Sequence, residues 1–535
     1  LETYYAFAPK GIRSFIKSVP VWIRDKLFLK KQIHDGLREI QDYDKKSLNL
    51  LFSEHHLSHA ASSFFASGFK SAALLTIDGV GEWCTASIAV GDGNQIKTKK
   101  EMHFPHSVGL LYSAFTYYLG FKVNSGEYKL MGLSPYGQKN ASQTQEYINT
   151  IKTQLVDIKS DGSIWLNQNN FSYSTGIRMV PAKKWEQLFG FKRRKAQENI
   201  TQAHCNLAMA IQQVTEEIVV KMVGETQKLT GLENLCLAGG VALNCVSNSK
   251  IQSSGIFKEM YIQPAAGDAG GALGAALAAN ALYYNQKNQK LTNAYLGPCY
   301  SNKEIETANK KLKAKAIFYH DFTELCDLVA KKLDDGNAVG WFQDKMEFGP
   351  RALGNRSILA DARKADVQKK LNLKVKKRES FRPFAPAVLE ENASDYFQIE
   401  KESPNMLFTY QVKNTIDLDK NVALDFNDRI NQKRSNITGV THIDYSARVQ
   451  TVSKTANQKF WTLLNAFKKR TGCAVLINTS FNVRGEPIVC SPLDAYRCFM
   501  NTDIEYLVLG NYFYQKTDQP NWQDKKKWQI EFAAD

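Results

Sequence analysis

The sequence predicts an α/β protein of two domains, and three observations predict it. The chain has 535 residues, enough for two sizeable cores. Leu235–Asn244 reads as strand, double glycine, helix, and the same device returns at Asp268-Ala269-Gly270-Gly271. The texture then changes after Gln286–Glu304, which reads as a linker, and a series of arginine-bearing motifs follows. These features divide the chain into 1–290 and 305–535.

Composition narrows the class. Hydrophobic residues make up 43% and charged residues 23%, ordinary values for a soluble globular enzyme. The net charge of +16 suits anionic ligands. The lysines are spread along the chain without an RNA-binding signature, so nucleic acid is not expected as a partner. Nine cysteines lie scattered with no CxxC pair, which reads as reduced thiols in a cytoplasmic protein and excludes zinc-finger modules. No apolar run is long enough to span a membrane.

Residues 1–50 are basic and aromatic with helical spacing. A membrane-surface helix has this composition. Pro9 and Pro20 break the pattern, however, so a peripheral helical excursion without a membrane partner is expected. Ala72–Ile77 is a buried strand ending in Asp78-Gly79, and a second strand follows as an antiparallel hairpin. Phe104–Gly120 reads as an amphipathic helix carrying His106 and Tyr112. Ser125–Gly137 alternates small, charged and apolar residues, as in a loop folded over a site. Helical spacing returns at Asn199–Leu229, at Phe322–Leu333 and, as a buried helix, at Ala269–Tyr284. Ala338–Gln343 is a strand. Residues 413–438 are polar and read as a mobile insertion.

The chemistry concentrates in a few stretches. His55 and His59 stand four apart in EHHLSH, on one face of a helix. With Asp78 and Asp268 they make a donor set for iron, zinc or manganese. The plainer reading is a helix start with ordinary surface histidines. In the second half, arginines sit among Gly, Pro and aromatic residues in FGPRALGNRS, KKRESFRPFAP and HIDYSARVQT, and NTSFN follows. A forked guanidinium in such surroundings suits phosphate or carboxylate; the alternative is structural ion pairing.

Taken together, EHHLSHAAS, TIDGVGEW, GEYKLMGLSPYG, GGVALN, GDAGGALGAA, FGPRALGNRS, KKRESFRPFAP, HIDYSARVQTV and NTSFN resemble, in order, the blocks of the O-carbamoyltransferases of the nodulation-protein and antibiotic-tailoring family. The resemblance covers nearly the whole chain. It implies an actin-like (ribonuclease H-like) first domain that transfers the carbamoyl group, and a YrdC-like α/β second domain that forms carbamoyladenylate. It also implies ATP with magnesium, carbamoyl phosphate and a divalent metal, iron(II), as cofactors. A small-molecule hydroxyl is the implied acceptor, and a homodimer is an admissible assembly. His55, His59, Asp78 and Asp268 match the family's metal ligands. Gly239, Gly240, Asn244 and Gly270 fall where the adenylate is held. Arg351, Lys376, Arg382, Arg448, Asn478 and Ser480 match the carbamoyl phosphate and nucleotide pocket, with Lys376 and Arg382 as catalytic candidates.

The family opens with a Gly- and Ser-rich hairpin bearing a His-Asp pair, which does not precede Leu1. The first domain is therefore expected to be truncated at its start. The strand at Ala72–Ile77 should lack a neighbour, and transfer to a hydroxyl should be poor. His56 and His106 become the candidate bases. Two other functions compete: carbamoyl or threonylcarbamoyl transfer to tRNA, and a non-catalytic adenylate-binding regulator.

Overall fold

The apolar run ending at Asp78 forms the middle of a five-stranded sheet in the computed structural model, which describes residues 2–287, 289–416, 429, 430, 432–522 and 528. Strands β1 (Ser71–Gly81), β2 (Cys84–Asp92), β3 (Gln95–His103), β4 (Asn234–Ala238) and β5 (Glu259–Ile262) lie in the order β3-β2-β1-β4-β5. β2 pairs antiparallel with β1 and β3, whereas β1, β4 and β5 run parallel. β1 thus has a partner on each side, contrary to the expected exposed edge. Its side chains alternate between two packed layers, as the pleat requires. Ala73, Leu75 and Ile77 meet the core built by Val108–Tyr118 and the long helix Gln202–Thr230. Ala72 and Leu74 meet the helix His55–Ser67, with Ala278 of the helix Asp268–Ala278 in the same cluster.

The second half has its own core around an eight-stranded sheet. Its strands are β6 (Ile317–Phe318), β7 (Val339–Phe342), β8 (Arg356–Asp361), β9 (Ala385–Leu389), β10 (Gln450–Val452), β11 (Val475–Ser480), β12 (Tyr506–Leu509) and β13 (Tyr512–Gln515). Their order is β10-β9-β11-β8-β7-β12-β13-β6. Helices Phe322–Asp334 and Gln458–Thr471 supply Leu325, Val329, Phe460 and Leu464 to this core. Several segments of the second half cross over: Phe381, Leu407 and Ile430 are buried in the core of the first half.

Several sequence expectations need correction. Ser125–Gly137 is not a loop. It forms the helix Glu127–Leu133 and a 3-10 turn, Ser134–Tyr136, because the Glu127 carboxylate accepts the free amides of Asn124 and Gly126. The helix expected from Phe104 begins at Val108, where Ser107 is the N-cap and accepts the Leu110 amide at 3.0 Å, so His106 lies outside it. Asp268–Ala278 and its continuation bury only the Gly270, Gly274, Ala278 and Ala281 side, and Leu282, Tyr283 and Tyr284 are exposed. Pro20 does not break its helix, which runs from Ile12 to Asp25. The expected linker ends earlier than read, since Ser301 and Glu304 form a capping box on Asn302–Leu312. Residues 417–428 and 431 of the expected insertion lie outside the described residues. No helix among the described residues is long and apolar enough to cross a membrane.

The start of Gln202–Thr230 carries a pH dependence. His204 is buried, and its Nδ1 accepts the Thr201 amide at 2.9 Å. Burial, aided by the Arg194 charge, lowers the imidazole from 6.5 to about 4. The folded-state value lies below the unfolded one, so the unfolded chain binds this proton more readily. The contribution to stability is full above pH 6.5 and is lost as pH falls towards 4. His204→Gln keeps an acceptor for the Thr201 amide and should flatten this part of the profile. Urea midpoints measured between pH 4 and 7 for both proteins check it; an unchanged slope would assign the effect to other groups.

Candidate functional site

Two arrangements of opposite polarity stand out. The first sits at the end of β1. Ser107 Oγ lies 3.0 Å from the Asp78 carbonyl and 2.6 Å from that of Gly79, which fixes the strand end. Asp78 Oδ1 accepts the Gly240 amide at 3.1 Å, and Oδ2 lies 2.9 Å from His55 Nε2 and 3.1 Å from His59 Nε2. The two Nε2 atoms are 3.0 Å apart. Asp268 Oδ1 closes the set at 3.7 and 3.8 Å from the two rings.

Four ligand atoms of His55, His59, Asp78 and Asp268 therefore lie within 4.8 Å of one another. Donors bound at about 2.1 Å to one ion stand about 3.0–3.4 Å apart, so the set fits a divalent cation. Burial raises the Asp78 carboxyl, but hydrogen bonds from His55 and His59 outweigh it and hold the group well below the carboxylate range. The same bond, donated to the Asp78 carboxylate, raises His55. Asp268 is 81% exposed and leaves the cluster open to solvent on its side.

Glycines set the spacing. Gly239 has φ +93°, and a Cβ there would lie 2.3 Å from the Ile77 carbonyl. A Cβ on Gly274 would lie 1.8 Å from the Ser58 carbonyl. The helix carrying Asp268 can therefore pack directly on the helix carrying both histidines. Gly270 serves the same turn, with a Cβ position 2.1 Å from the Ala265 carbonyl.

The second arrangement is a cavity of about 1120 Å³ between the halves. Arg351, Lys376, Arg382, Arg448, Asn478 and Ser480 all line it, and so does Arg378, which the sequence reading passed over. Burial lowers every one of these arginines, and a neighbouring arginine lowers each further. The Nε atoms of Arg351 and Arg448 are buried and have no partner among the described residues. Arg378 donates to Asn372 Oδ1 at 2.7 Å and stacks on Phe384; Arg382 lies over Tyr128. Across the cavity, Lys129 reaches Glu379 at 3.2 Å, a pair that joins the two halves.

Other predicted residues take different places. Lys376 is fully engaged: its ammonium lies within 3.2 Å of the carbonyls and side-chain oxygens of Ser480 and Asn482. It shapes the wall rather than presenting a free charge. Asn244 caps the helix Cys245–Ser254 and exchanges amide hydrogen bonds with Gln212, so it faces the core. His56 is buried against Thr76, 2.6 Å away, and lowered by burial to about 4. His106 stacks on Trp165 and accepts the Leu166 amide. Neither ring lines the cavity; the His56 ring lies beside the histidine–aspartate cluster, 5.7 Å from the ring of His55 and 6.1 Å from that of His59. Arg356 is structural, but through backbone carbonyls rather than the ion pairing the sequence suggested. It is fully buried, donates to four carbonyls including those of Pro298 and Asp344, and stacks on Phe342.

The second half reaches the first through its Gly-Pro-Arg loop. Gly349 abuts the Pro264 carbonyl, and Arg351 lies 3.5 Å from the carbonyl of Leu243, just beyond the double glycine. Comparison with known proteins gives this arrangement a family. Residues 1–277 match the family model described as the carbamoyltransferase N-terminus, and residues 330–516 match that of the carbamoyltransferase C-terminus. The chain belongs to the carbamoyltransferase family. An uncharacterized protein of Synechocystis sp. is 50% identical over all of this carbamoyltransferase and 88% of its own length. Nodulation protein NolNO of Sinorhizobium fredii is 39% identical over 87% of this chain and 64% of its own. The 3'-hydroxymethylcephem-O-carbamoyltransferase of Streptomyces clavuligerus is 32% identical over 53% and 49%.

Each member of the histidine–aspartate set would offer a bound cation a ligand that water replaces poorly. His55→Ala and Asp268→Ala should each lower the metal content of the purified carbamoyltransferase to below about a tenth of the original, by the loss expected for a missing ligand. Elemental analysis checks this, and unchanged metal in both variants would refute the site.

Proposed function

We propose that this carbamoyltransferase is an ATP-dependent O-carbamoyltransferase with two reaction sites. The observation that carries the reading is the convergence of Arg351, Arg378, Arg382 and Arg448 on one cavity. A cavity that gathers cations at the expense of their own solvation suits ligands rich in anionic oxygens, and ATP and carbamoyl phosphate are such ligands. Carbamoyl phosphate, ATP and water give carbamoyladenylate, pyrophosphate and phosphate. The carbamoyl group then passes to a hydroxyl, which takes the place of AMP and gives up its proton. The names of the nodulation and cephem relatives support a sugar, antibiotic or glycan hydroxyl as acceptor.

In this reading the guanidiniums hold the phosphoryl oxygens while bonds shift between them, and Lys376 keeps the Ser480–Asn482 wall in place. The second half has the YrdC-like role and the first the actin-like one. β3-β2-β1-β4-β5, with its antiparallel hairpin on a parallel pair, supports the latter assignment. His55, His59, Asp78 and Asp268 would hold a divalent metal, iron(II) by family resemblance. Such an ion supplies a Lewis acid towards a carbamoyl carbonyl or an adenylate phosphate. The Gly349–Arg351 loop lies between the cavity and the double glycine beside Asp78, a short path from one site to the other.

The halves should separate on mutation. Arg382→Ala leaves a phosphate charge unmatched in a dry pocket, which costs a few kcal/mol, so pyrophosphate release should fall on the order of a hundredfold. His59→Ala should abolish carbamoylated product and leave pyrophosphate release within about twofold. The assay supplies ATP, carbamoyl phosphate and candidate hydroxyl acceptors, with and without tRNA. Equal loss of both partial reactions in both variants would sink the two-site reading. Release that requires tRNA would favour the tRNA function, and no turnover at all the regulator.

A further inference from the structure

The first fifty residues carry an apolar surface that the two sites leave unexplained. The helices Ile12–Asp25 and Leu29–Ile40 bury no residue at all. In the first, Ile12, Phe15, Ile16, Val19, Trp22 and Ile23 recur three or four apart and share one stripe. Ile12, Ile16, Trp22 and Ile23 are exposed, Ile16 to 62%, and the turn that follows exposes Leu27 and Phe28. Arg13, Lys17 and Arg24 share the flank of that stripe. Between Lys10 and Lys31 the chain carries seven basic residues and one acid, Asp25, which pairs with Arg24 at 2.6 Å. The excursion is tied to the body through Ser14, whose hydroxyl lies 3.2 Å from the Thr175 carbonyl. Pro20, which in the sequence argued against a continuous amphipathic helix, lies inside one.

We propose that the helix Ile12–Asp25, with the turn at Leu27–Phe28, docks this enzyme on an anionic phospholipid bilayer. An exposed apolar stripe of this length is costly in water and is satisfied only by an apolar partner. The charge beside it selects the partner. A second copy of this chain, docked stripe to stripe, would bring the same basic flank against itself, which repels. A nucleic acid would match the charge but leave the stripe wet. An anionic lipid surface satisfies both: the isoleucines and Trp22 enter the headgroup–acyl boundary while Arg13, Lys17, Lys26 and Lys30 meet lipid phosphates. Docking would hold the enzyme where hydroxyl acceptors at a membrane surface are concentrated. The surface itself stands independently of the two-site reading.

Flotation of the full chain with vesicles tests it. Vesicles of phosphatidylcholine and phosphatidylglycerol in equal parts should carry the protein up at low salt, and vesicles of phosphatidylcholine alone should not. Raising the salt should release it. Ile16→Glu with Trp22→Glu, and separately Arg13→Glu with Lys17→Glu, should each weaken binding at least about tenfold. All four residues are on the surface, so thermal melting should stay unchanged and confirm folding. Absence of binding to the anionic vesicles, equal binding to both kinds, or undiminished binding by both variants would overturn the proposal. A concentration-dependent dimer in light scattering that Ile16→Glu dissociates would assign the stripe to a second copy instead and would equally overturn it.

Discussion

Mutual repulsion among buried guanidiniums is the constraint on which much of this molecule depends. Arg351, Arg378, Arg382 and Arg448 line one cavity, and burial and the charge of a neighbouring arginine, for Arg382 that of Arg484, weaken the protonation of each. Such a group is tolerated only if the frame around it is firm. Glu347 supplies part of that frame by accepting the amides of Leu353 and Asn355 and so pinning the loop that carries Arg351. Phe384 and Tyr128 offer ring faces to Arg378 and Arg382. Glu379, held ionised by Lys129 and the nearby arginines against the effect of burial, is a countercharge to Arg378 and Arg382. The cations are thus oriented before any anion arrives, and an anion relieves a tension already present.

The cluster at the end of β1 has the reverse character. Two carboxylates and two imidazoles crowd into a few ångströms, and the Gly240 amide and the packed helices keep them there. One site gathers guanidiniums and the other gathers carboxylates and imidazoles. The Gly-Pro-Arg loop touches the turn next to Asp78, so the two polarities meet through a few residues of backbone.

Much of this was legible before the structure. The His-x-x-x-His spacing and the two glycine turns bring the four metal-ligand candidates together, because a helix face and a strand end are short-range geometry. The cavity arginines were legible from their Gly, Pro and aromatic neighbours. What failed was long-range or competitive. Glu127 capping its own helix overrode a loop-like composition at 125–137, and Ser107 moved a helix start past His106. Lys376 reads as a free cation, but the carbonyls that engage it lie over a hundred residues downstream. Arg356 and Arg351 share one motif, and only packing tells that the first is structural and the second faces the cavity. Asn244, which the family resemblance puts where the adenylate is held, also caps the helix Cys245–Ser254 and exchanges amide hydrogen bonds with Gln212 of a distant helix, contacts that no local pattern announces.

Phe381 sits two residues from Glu379 and one from Arg382, yet its ring is buried in the core of the opposite half. Tyr136 donates to its carbonyl at 3.2 Å. The wall segment of the cavity is thereby bolted to the opposing domain. Swinging the halves apart would drag an aromatic ring into water at a cost of about 3 kcal/mol or more, before any polar contact is counted. Traffic through the cavity is therefore a matter of threading rather than hinging: whatever enters must fit between walls that the anchored ring keeps together.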